Sequence, residues 1–467
     1  MGIKIFAVAV LAAAIVASDA FGQAQMQSPA VASSEVQEQV SGMQDPIALQ
    51  RLAKQFETDQ KWAEAAIAWR RLSSLSPHNP AYLYNQSVNF ALANDKAQAY
   101  HILLTSQRAG LGFKLGDEPR FANLHGTEVW DYLIKLHASA LDEPFGEGEV
   151  AFEIPPADRL LESVAYDPIS KSILLGSARD GVIYRRGSDG TLEEWSRPQG
   201  DSWWSIFDIK VDAARQFVWA TTSAIPHFSS YKPEMAGRAA LLKLDLKTGE
   251  LIKAYAPPDD GLPHLLNSIA ISSKGMVVVS DGMRAQLFKF ENDELVPLMA
   301  ERRLNSLRGM TFSADGGILY FADYERGLFG LDLARGTAFD VGYPKDVNLY
   351  GIEGLYLYEN QLVAIQNGLR PQRIMRFKLS DDGHRVEMGV PLDSAKEAFA
   401  TPTLGTLVGD ELLFIANSQR GYYDGFGLLK GARPLPPTRI FRSDVRFNWD
   451  FKPPSLPSSL APTPPSG

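Results

Sequence analysis

The segment RGMTFSADGGILYFADYERGLFGLDL, Arg308–Leu333, decides the fold of this chain. It holds three short apolar strands, of which the first two are joined by the tight turn SADG. Related units, each opening on a polar residue, recur six times between Glu162 and Asn417. Several strands per unit, at intervals of roughly 40 to 60 residues, are typical of propeller blades rather than of a single sandwich. The sequence therefore predicts a mainly β fold, a six-bladed β-propeller that spans residues 148–443.

The last blade requires strands from both ends of the propeller. Residues 438–442 form one candidate strand, and residues 148–155 alternate apolar and polar side chains as an outer strand does. Joining both ends of the domain in one blade protects an edge that would otherwise stay open. We therefore expect the two segments to pair.

Residues 45–140 have a helical period, and the spacing of their large and small side chains predicts a small all-α, tetratricopeptide-like domain in front of the propeller. A shift of 34 residues superimposes Leu49 on Leu83, Phe56 on Phe90, Ala65 on Ala99, and Trp69 on Leu103. A capping helix is expected near residues 127–138. The concave face of such a stack either binds a protein or peptide partner or simply braces the propeller.

Both ends of the chain lie outside these two domains. Residues 1–24 combine a lysine, a short apolar run and small residues at the cleavage position, which predicts a secretory signal peptide; an uncleaved anchor is the alternative. Residues 25–44 are predicted to be a flexible lead-in, and the proline-rich residues 444–467 a disordered tail. We expect a mature chain without a transmembrane segment that is exported, either periplasmic or secreted.

The composition excludes several classes of site. The chain has no cysteine, so it has neither disulfides nor thiolate metal ligands. Its hydrophobic content of 45% is sufficient for a core, and its formal net charge of -9 disfavours nucleic acid as a partner. The sequence contains no serine-hydrolase elbow and no phosphate-binding glycine loop.

Polar residues open the early strands of the blades and are expected near the propeller axis. The candidates are Glu162, Asp208, Asn267, Arg308 and Glu353. Two further residues, Trp204 and His264, come shortly before two of these positions. They are expected either to line the mouth of a ligand pocket or to serve ordinary loop packing.

Several of these segments resemble the senescence marker protein/gluconolactonase family of six-bladed propellers, and more loosely the strictosidine-synthase-type propellers. The likeness lies in ESVAYD at 162–167, RGMTFSADG at 308–316, LYFAD at 319–323 and EGL at 353–355. It covers about two thirds of the chain, roughly residues 150 to 443, and leaves the helical domain outside.

The resemblance implies one divalent cation, calcium or zinc, at the axis, held by acidic and asparagine side chains from different blades. Glu162 matches the family's first-blade glutamate, and Asn267 matches an asparagine of the third blade. Arg308 stands where the family has an asparagine before a glycine, and Glu353 where it has an aspartate before a glycine.

Arg308 separates the hypotheses about function. A guanidinium stays protonated at ordinary pH and has no acceptor atom, so it repels a cation instead of binding it. We expect the carboxylates of Glu162, Asp208 and Glu353 to converge on Arg308 as an internal ion pair in place of a metal.

The leading hypothesis is an exported, non-catalytic binding protein without a cofactor, in which Arg308 holds a small polar or anionic ligand. Glu162 and Glu353 would orient Arg308. The residues shaping the mouth would be Trp204, His264 and Asn267. The alternative is a metal-dependent lactonase or esterase, in which Glu162, Asn267 and Glu353 hold the cation. A scaffold with a closed axis is a third reading.

Overall fold

Among the described residues, six α-helices and one 3-10 helix precede the β region, and all but the third α-helix begin at a side-chain cap or a proline. The computed structural model describes residues 29–77, 79–301, 303–431 and 434–449. The predicted signal peptide, the first residues of the lead-in and residues 450–467 lie outside the described residues. The helices are α1 (Ser34–Gly42), α2 (Pro46–Thr58), α3 (Trp62–Leu75), α4 (Pro80–Leu92), α5 (Lys96–Arg108), a 3-10 helix (Pro119–Leu124) and α6 (Glu128–Asp142).

Helix α1 lies in the segment predicted to be a flexible lead-in. The side chain of Ser33 accepts a hydrogen bond from the backbone N–H of Val36, which caps the first turn. Val40 is buried in the same apolar cluster as Leu49 and Phe56 of α2. The composition of this segment alone indicates a flexible chain. The segment is helical because Val40 packs into the apolar cluster of the neighbouring helices.

The period of 34 residues continues for one more unit than the sequence analysis expected. Leu124 and Leu133 occupy the positions of Phe90 and Ala99, and all four side chains are buried in one cluster. The 3-10 helix and α6 thus form a third, shortened pair of helices. The helical region itself is confirmed, and its assignment to the tetratricopeptide class stays a prediction.

His137 occupies the equivalent of Leu103 in this third unit and is fully buried. Its Nδ1 accepts a hydrogen bond from the backbone N–H of Phe113 at 3.1 Å, and its Nε2 lies 3.2 Å from the carbonyl oxygen of Leu103. Burial lowers the pKa of His137 to about 4. The ring is therefore neutral in the folded state at physiological pH.

We expect acid to destabilise the fold through His137. The pKa of His137 is lower in the folded state than in the unfolded chain. Its contribution to the free energy of unfolding is therefore complete above pH 6.5 and is lost as the pH falls toward 4. That loss amounts to roughly 3 kcal/mol in the free energy of unfolding. Urea unfolding of His137→Gln at pH 7 and in mild acid should show a flatter pH dependence than the wild type. The matched change at exposed His125 should leave the wild-type dependence unaltered, and equal slopes for both variants would contradict the assignment.

Six four-stranded antiparallel sheets follow, as the repeat predicts. The first strand, β1, spans Glu149–Ile154. Blade 1 is β2 (Leu161–Asp167), β3 (Ser172–Ser177), β4 (Ile183–Arg186) and β5 (Leu192–Ser196). Blade 2 is β6 (Ser205–Asp212), β7 (Phe217–Ser223), β8 (Ala239–Asp245) and β9 (Leu251–Tyr255). Blade 3 is β10 (Leu266–Ile271), β11 (Val277–Asp281), β12 (Gln286–Glu291) and β13 (Glu294–Ala300).

The second half of the ring repeats this order. Blade 4 is β14 (Leu307–Phe312), β15 (Ile318–Asp323), β16 (Gly327–Asp332) and β17 (Thr337–Asp340). Blade 5 is β18 (Ile352–Tyr358), β19 (Gln361–Gln366), β20 (Arg373–Leu379) and β21 (Val386–Ser394). Blade 6 is β22 (Gly405–Val408), β23 (Glu411–Ile415) and β24 (Thr438–Asp444), completed by β1. The predicted pairing of the two ends is confirmed, with Ile154 opposite Thr438.

The inner strand of each blade touches the inner strand of the next, so the blades follow one another around the ring in sequence order. Large apolar clusters fill the spaces between neighbouring blades. We call the side of the ring where these inner strands begin the upper face. Among the described residues, no helix combines the length and the apolarity that crossing a membrane requires.

The helical region is bonded to blade 5 of the propeller within the unit formed by residues 29–445. Arg373, at the start of β20, donates from Nη1 to the carbonyl oxygens of Gly110 at 2.9 Å and Ala109 at 3.3 Å, just beyond the end of α5. Its Nε donates to Oε1 of Gln366 at 2.8 Å. Burial lowers the pKa of Arg373 to about 10. A cation at the negative end of a helix dipole thus joins the two regions.

Candidate ligand site at the propeller axis

A β-bulge near the start of the inner strand singles out one residue in each of the first five blades. The pairing register skips Glu162 in β2, Phe207 in β6, Asn267 in β10, Arg308 with Gly309 in β14, and Glu353 in β18. A bulge redirects the side chain of the extra residue, which is why bulges are common beside active sites. We call these residues the axial ring: Glu162, Phe207, Asn267, Arg308 and Glu353.

Arg308 and Glu353 come from neighbouring blades and form a loose ion pair. Nε of Arg308 lies 3.6 Å from Oε2 of Glu353, which is beyond normal hydrogen-bond length. Nη1 of Arg308 donates to the carbonyl oxygen of Leu307 at 3.2 Å, and the guanidinium carbon lies 5.7 Å from the ring centre of Tyr324. The Arg308 side chain is 30% exposed and that of Glu353 24% exposed, so solvent reaches both.

Burial raises the pKa of the Glu353 carboxyl. The positive charges of Arg308 and Arg420 act in the opposite direction, and the negative charge of Glu162 adds to the rise. The two ion pairs behind these effects, Arg308 with Glu353 and Arg420 with Glu162, join blade 4 to blade 5 and blade 6 to blade 1.

Glu162 pairs with Arg420 and not with Arg308. Nη2 of Arg420 donates to Oε2 of Glu162 at 3.2 Å, and the hydroxyl of Ser418 donates to Oε1 at 2.8 Å. The Arg420 guanidinium carbon also lies 6.0 Å from the ring centre of Phe207. Arg420 follows β23 in the long loop of blade 6, and no local pattern in the sequence distinguishes it from other loop arginines.

Asn267 is held by hydrogen bonds within the protein. Its Nδ2 donates to the carbonyl oxygen of Leu307 at 2.8 Å, and its Oδ1 accepts from the hydroxyl of Ser280 at 2.8 Å. Its role in this geometry is to connect blades 3 and 4.

Asp208 is one residue beyond the bulge and lies outside the axial ring. Its carboxylate accepts from Nζ of Lys210 at 2.9 Å and from the backbone N–H groups of Ile209 and Ile269 at 2.9 and 2.8 Å. Lys210 in turn lies 5.9 Å from the ring centre of Tyr356, which belongs to the opposite blade 5. The contact of Lys210 with Tyr356 reaches across the propeller axis, and the Asp208 carboxylate is bonded to Lys210. Asp208 therefore does not converge on Arg308.

Trp204 and His264 lie along a different cavity, above blade 2. This blade-2 cavity has a volume of about 620 Å³, and its described lining includes no member of the axial ring. Nδ1 of His264 lies 2.7 Å from the buried carboxylate of Asp281, and its Nε2 lies 3.3 Å from Nη1 of Arg284. Of the three residues expected at the mouth of an axial pocket, Trp204 and His264 therefore shape another site.

The axial residues do not fit a divalent cation. Arg308 and Arg420 bring two fixed positive charges to the acids that would have to bind it. The carbonyl oxygen of Asn267 already accepts a hydrogen bond from Ser280. In the part of the chain that the structure describes, no three His, Cys, Asp or Glu side chains are grouped so as to hold a metal ion.

The sequence does contain a signal for the axial ring. Each bulge lies in a triplet of an aliphatic residue, the axial residue and a small or short polar residue. The triplets are LES at 161–163, IFD at 206–208, LNS at 266–268, LRG at 307–309 and IEG at 352–354. When the five triplets are aligned on their buried aliphatic residue, Phe207 takes the axial position of blade 2. A search for polar residues selects its neighbour Asp208 instead.

Comparison with known proteins finds similar solved structures but no family. No protein-family model matches the chain, and no curated protein matches it either. Among solved structures, the PQQ-bound aldose sugar dehydrogenase of Streptomyces coelicolor is similar at 14% identity, over 64% of this chain and 99% of the other, with a TM-score of 0.42. The virginiamycin B lyase of Staphylococcus aureus is similar at 13% identity, over 58% of this chain and 82% of the other, with a TM-score of 0.42.

A protein provisionally assigned as a gluconolactonase is similar at 14% identity, over 65% of this chain and 93% of the other, with a TM-score of 0.44. At such identities a likeness concerns the fold alone. The class that the fold itself defines is a six-bladed β-propeller preceded by a helical region.

Proposed function

We propose that this protein is a binding propeller whose axial ring holds a small anionic ligand, with Arg308 as the group that recognises it. The observation that carries the proposal is the incomplete pairing of Arg308. Among the described residues, Arg308 donates one hydrogen bond, to the carbonyl oxygen of Leu307 at 3.2 Å, and the Glu353 carboxylate stays 3.6 Å from its Nε. A guanidinium has five N–H donors in a planar fork, so donors are left for a carboxylate.

The surroundings of Arg308 support an anion with an apolar part. Phe207 is the one uncharged, apolar member of the axial ring, and Arg420 lies beside it. An apolar face beside Arg420, in the same ring of residues as Arg308, suits an organic carboxylate better than a bare inorganic ion. Glu162 keeps Arg420 in place, and Glu353 is the group that competes with the ligand for Arg308.

Replacing Arg308 by methionine is expected to weaken binding of the best ligand from a panel of small organic carboxylates by about 30-fold or more. Loss of charge-assisted hydrogen bonds accounts for an effect of this size. Glu353→Gln is the matched control, because it leaves the shape of the ring intact and frees Arg308, so affinity should rise. Calorimetric titration measures both, after a thermal-shift screen has selected the ligand by the increase in melting temperature.

Opposite changes in the two variants would support anion recognition by Arg308. Unchanged affinity in Arg308→Met, with a folded protein, would contradict it. The alternative function, a metal-dependent lactonase or esterase, makes a different prediction for the purified wild type. It requires stoichiometric calcium or zinc, loss of the metal with chelator, and loss of lactone turnover at the same time.

Two further parts of the proposal rest on the sequence. We propose that the chain is exported, from the apolar N-terminal segment followed by small residues, and cell fractionation tests this. We also propose that the helical region binds a protein or peptide partner, since stacked helical hairpins offer extended surfaces for such contacts.

A further inference from the structure

The long loop of blade 6 presents three apolar side chains to solvent on the upper face. We call residues 418–430 the strap and the side chains of Phe426, Leu428 and Leu429 the knob. Phe426 is 81% exposed, Leu428 63% and Leu429 44%. Exposed apolar side chains scattered singly are common, but three within four residues at one loop tip indicate a contact surface.

The knob is built as a small, ordered turn. Tyr423 and Leu429 form an antiparallel bridge, and the backbone N–H of Asp424 donates to the carbonyl oxygen of Leu428 at 2.9 Å. The Asp424 carboxylate accepts from the backbone N–H groups of Phe426 and Leu428, each at 2.9 Å. The tip therefore carries little of the conformational freedom that binding would otherwise have to remove.

The strap is fastened to the top of blades 1 and 2. Arg179 pairs with Asp158 at 3.0 Å and donates to the carbonyl oxygens of His227 at 2.8 Å and Gly427 at 3.2 Å. Gly427 has a φ of +76°, and a Cβ there would lie 2.1 Å from the carbonyl oxygen of Pro226. The glycine thus lets the strap rest directly on the blade-2 loop, with the knob pointing outward.

The blade-2 cavity is the matching concave feature on the same face. Its apolar lining includes Trp204, Pro257, Pro258, Leu262 and Pro263, and its volume is about 620 Å³. Pockets of this size hold drug-sized ligands, so the cavity has room for a phenylalanine and a leucine side chain. Knob and cavity share one support, because residues 236–238 of the cavity wall continue the loop on which Gly427 rests.

The charges around the two features are complementary. Exposed Lys430 follows the knob, and exposed Asp201 and Asp259 lie on the cavity wall. In the same way, the negative charge of Asp424 in the knob turn matches the positive charge of exposed Arg238 on the cavity wall. Opposite charges at the rim of an apolar contact favour one partner and one orientation.

We propose that two copies of this chain associate through their upper faces, each inserting its knob into the blade-2 cavity of the other. A two-fold axis makes both contacts at once, because the same patch carries the knob and the cavity. Such an arrangement closes as a dimer and leaves no unpaired knob. The inference goes beyond the anion site and does not depend on it.

The absence of cysteine allows a direct test by disulfide trapping. Phe426→Cys and Leu262→Cys are prepared separately, mixed, and oxidised mildly. A covalent dimer is expected in the mixture and not with either variant alone. A mixture of Phe426→Cys with Ile169→Cys is the control, since Ile169 is 59% exposed on the hairpin at the lower face, and this mixture should form no covalent dimer. Efficient cross-linking of Phe426→Cys with itself would overturn the proposal.

The oligomeric state provides the second arm, measured by sedimentation across a wide range of protein concentration. Phe426→Asp is expected to weaken the wild-type dimer at least tenfold, and Ile252→Asp, at a half-exposed apolar site on β9, should leave it unchanged. Leu428→Asp is a second knob variant, and unaltered melting temperatures show that all variants fold. A wild type that stays monomeric, a dimer indifferent to Phe426→Asp, or binding of the knob to lipid vesicles instead would each overturn the proposal.

Discussion

Replacing Asp208 by alanine is expected to lower the free energy of unfolding by about 3 to 5 kcal/mol, the usual loss when one member of a buried ion pair is removed. The carboxylate is the acceptor for Lys210 and for the backbone N–H groups of Ile209 and Ile269, and it is almost completely buried. Alanine leaves the ammonium group and two backbone donors without this acceptor, in a place that water reaches poorly.

A double-mutant cycle with Lys210→Met tests this explanation. Because the second change removes the unpaired charge, the double variant should be more stable than the sum of the single losses predicts. Urea unfolding followed by tryptophan fluorescence provides the free energies. Asp189→Ala, at an exposed turn, is the control and should stay within about 0.5 kcal/mol of the wild type. A loss below about 1 kcal/mol for Asp208→Ala would contradict the proposed role of the pair.

Replacing Arg373 by methionine is expected to cost about 3 kcal/mol and to separate the unfolding of the helical region from that of the propeller. Methionine fills much of the space but donates nothing, so the carbonyl oxygens of Ala109 and Gly110 and the side chain of Gln366 lose a donor. The helix α5 also loses a cation at its negative end.

Scanning calorimetry should record one transition for the wild type and two for Arg373→Met. Hydrogen exchange should rise along Lys96–Arg108, the segment of α5, more than in the blades. Arg335→Met is the matched control, since Arg335 is 76% exposed and pairs with Asp332 in its own turn. A single transition in Arg373→Met at the wild-type temperature would refute the coupling role.

The number of blades and the closure of the ring were predictable because they depend on local patterns. Alternation with period two and tight turns define each hairpin wherever it lies in the chain, as in the quoted unit Arg308–Leu333. The pairing of β1 with β24 follows from the same alternation at both ends. The extra helix α1 was not predictable in this way, because Val40 is its single buried residue.

The candidate site was predictable only in part, and the reason is the bulge. Glu162, Asn267, Arg308 and Glu353 do lie in the axial ring. A shift of one residue turns a side chain to the other face of a strand, so the step from Phe207 to Asp208 exchanges an axial residue for one buried between blades.

By itself, the sequence determined the architecture, since hydrophobic period and turn chemistry act between residues close in the chain. Only the tertiary structure decided which charges meet. Glu162 and Arg420 are 258 positions apart, and their contact depends on the path of the strap after β23. Trp204 and His264 likewise belong to the blade-2 cavity because of how the loops of blade 2 fold over the ring. Loop paths depend on long-range packing, and no spacing in the sequence encodes them.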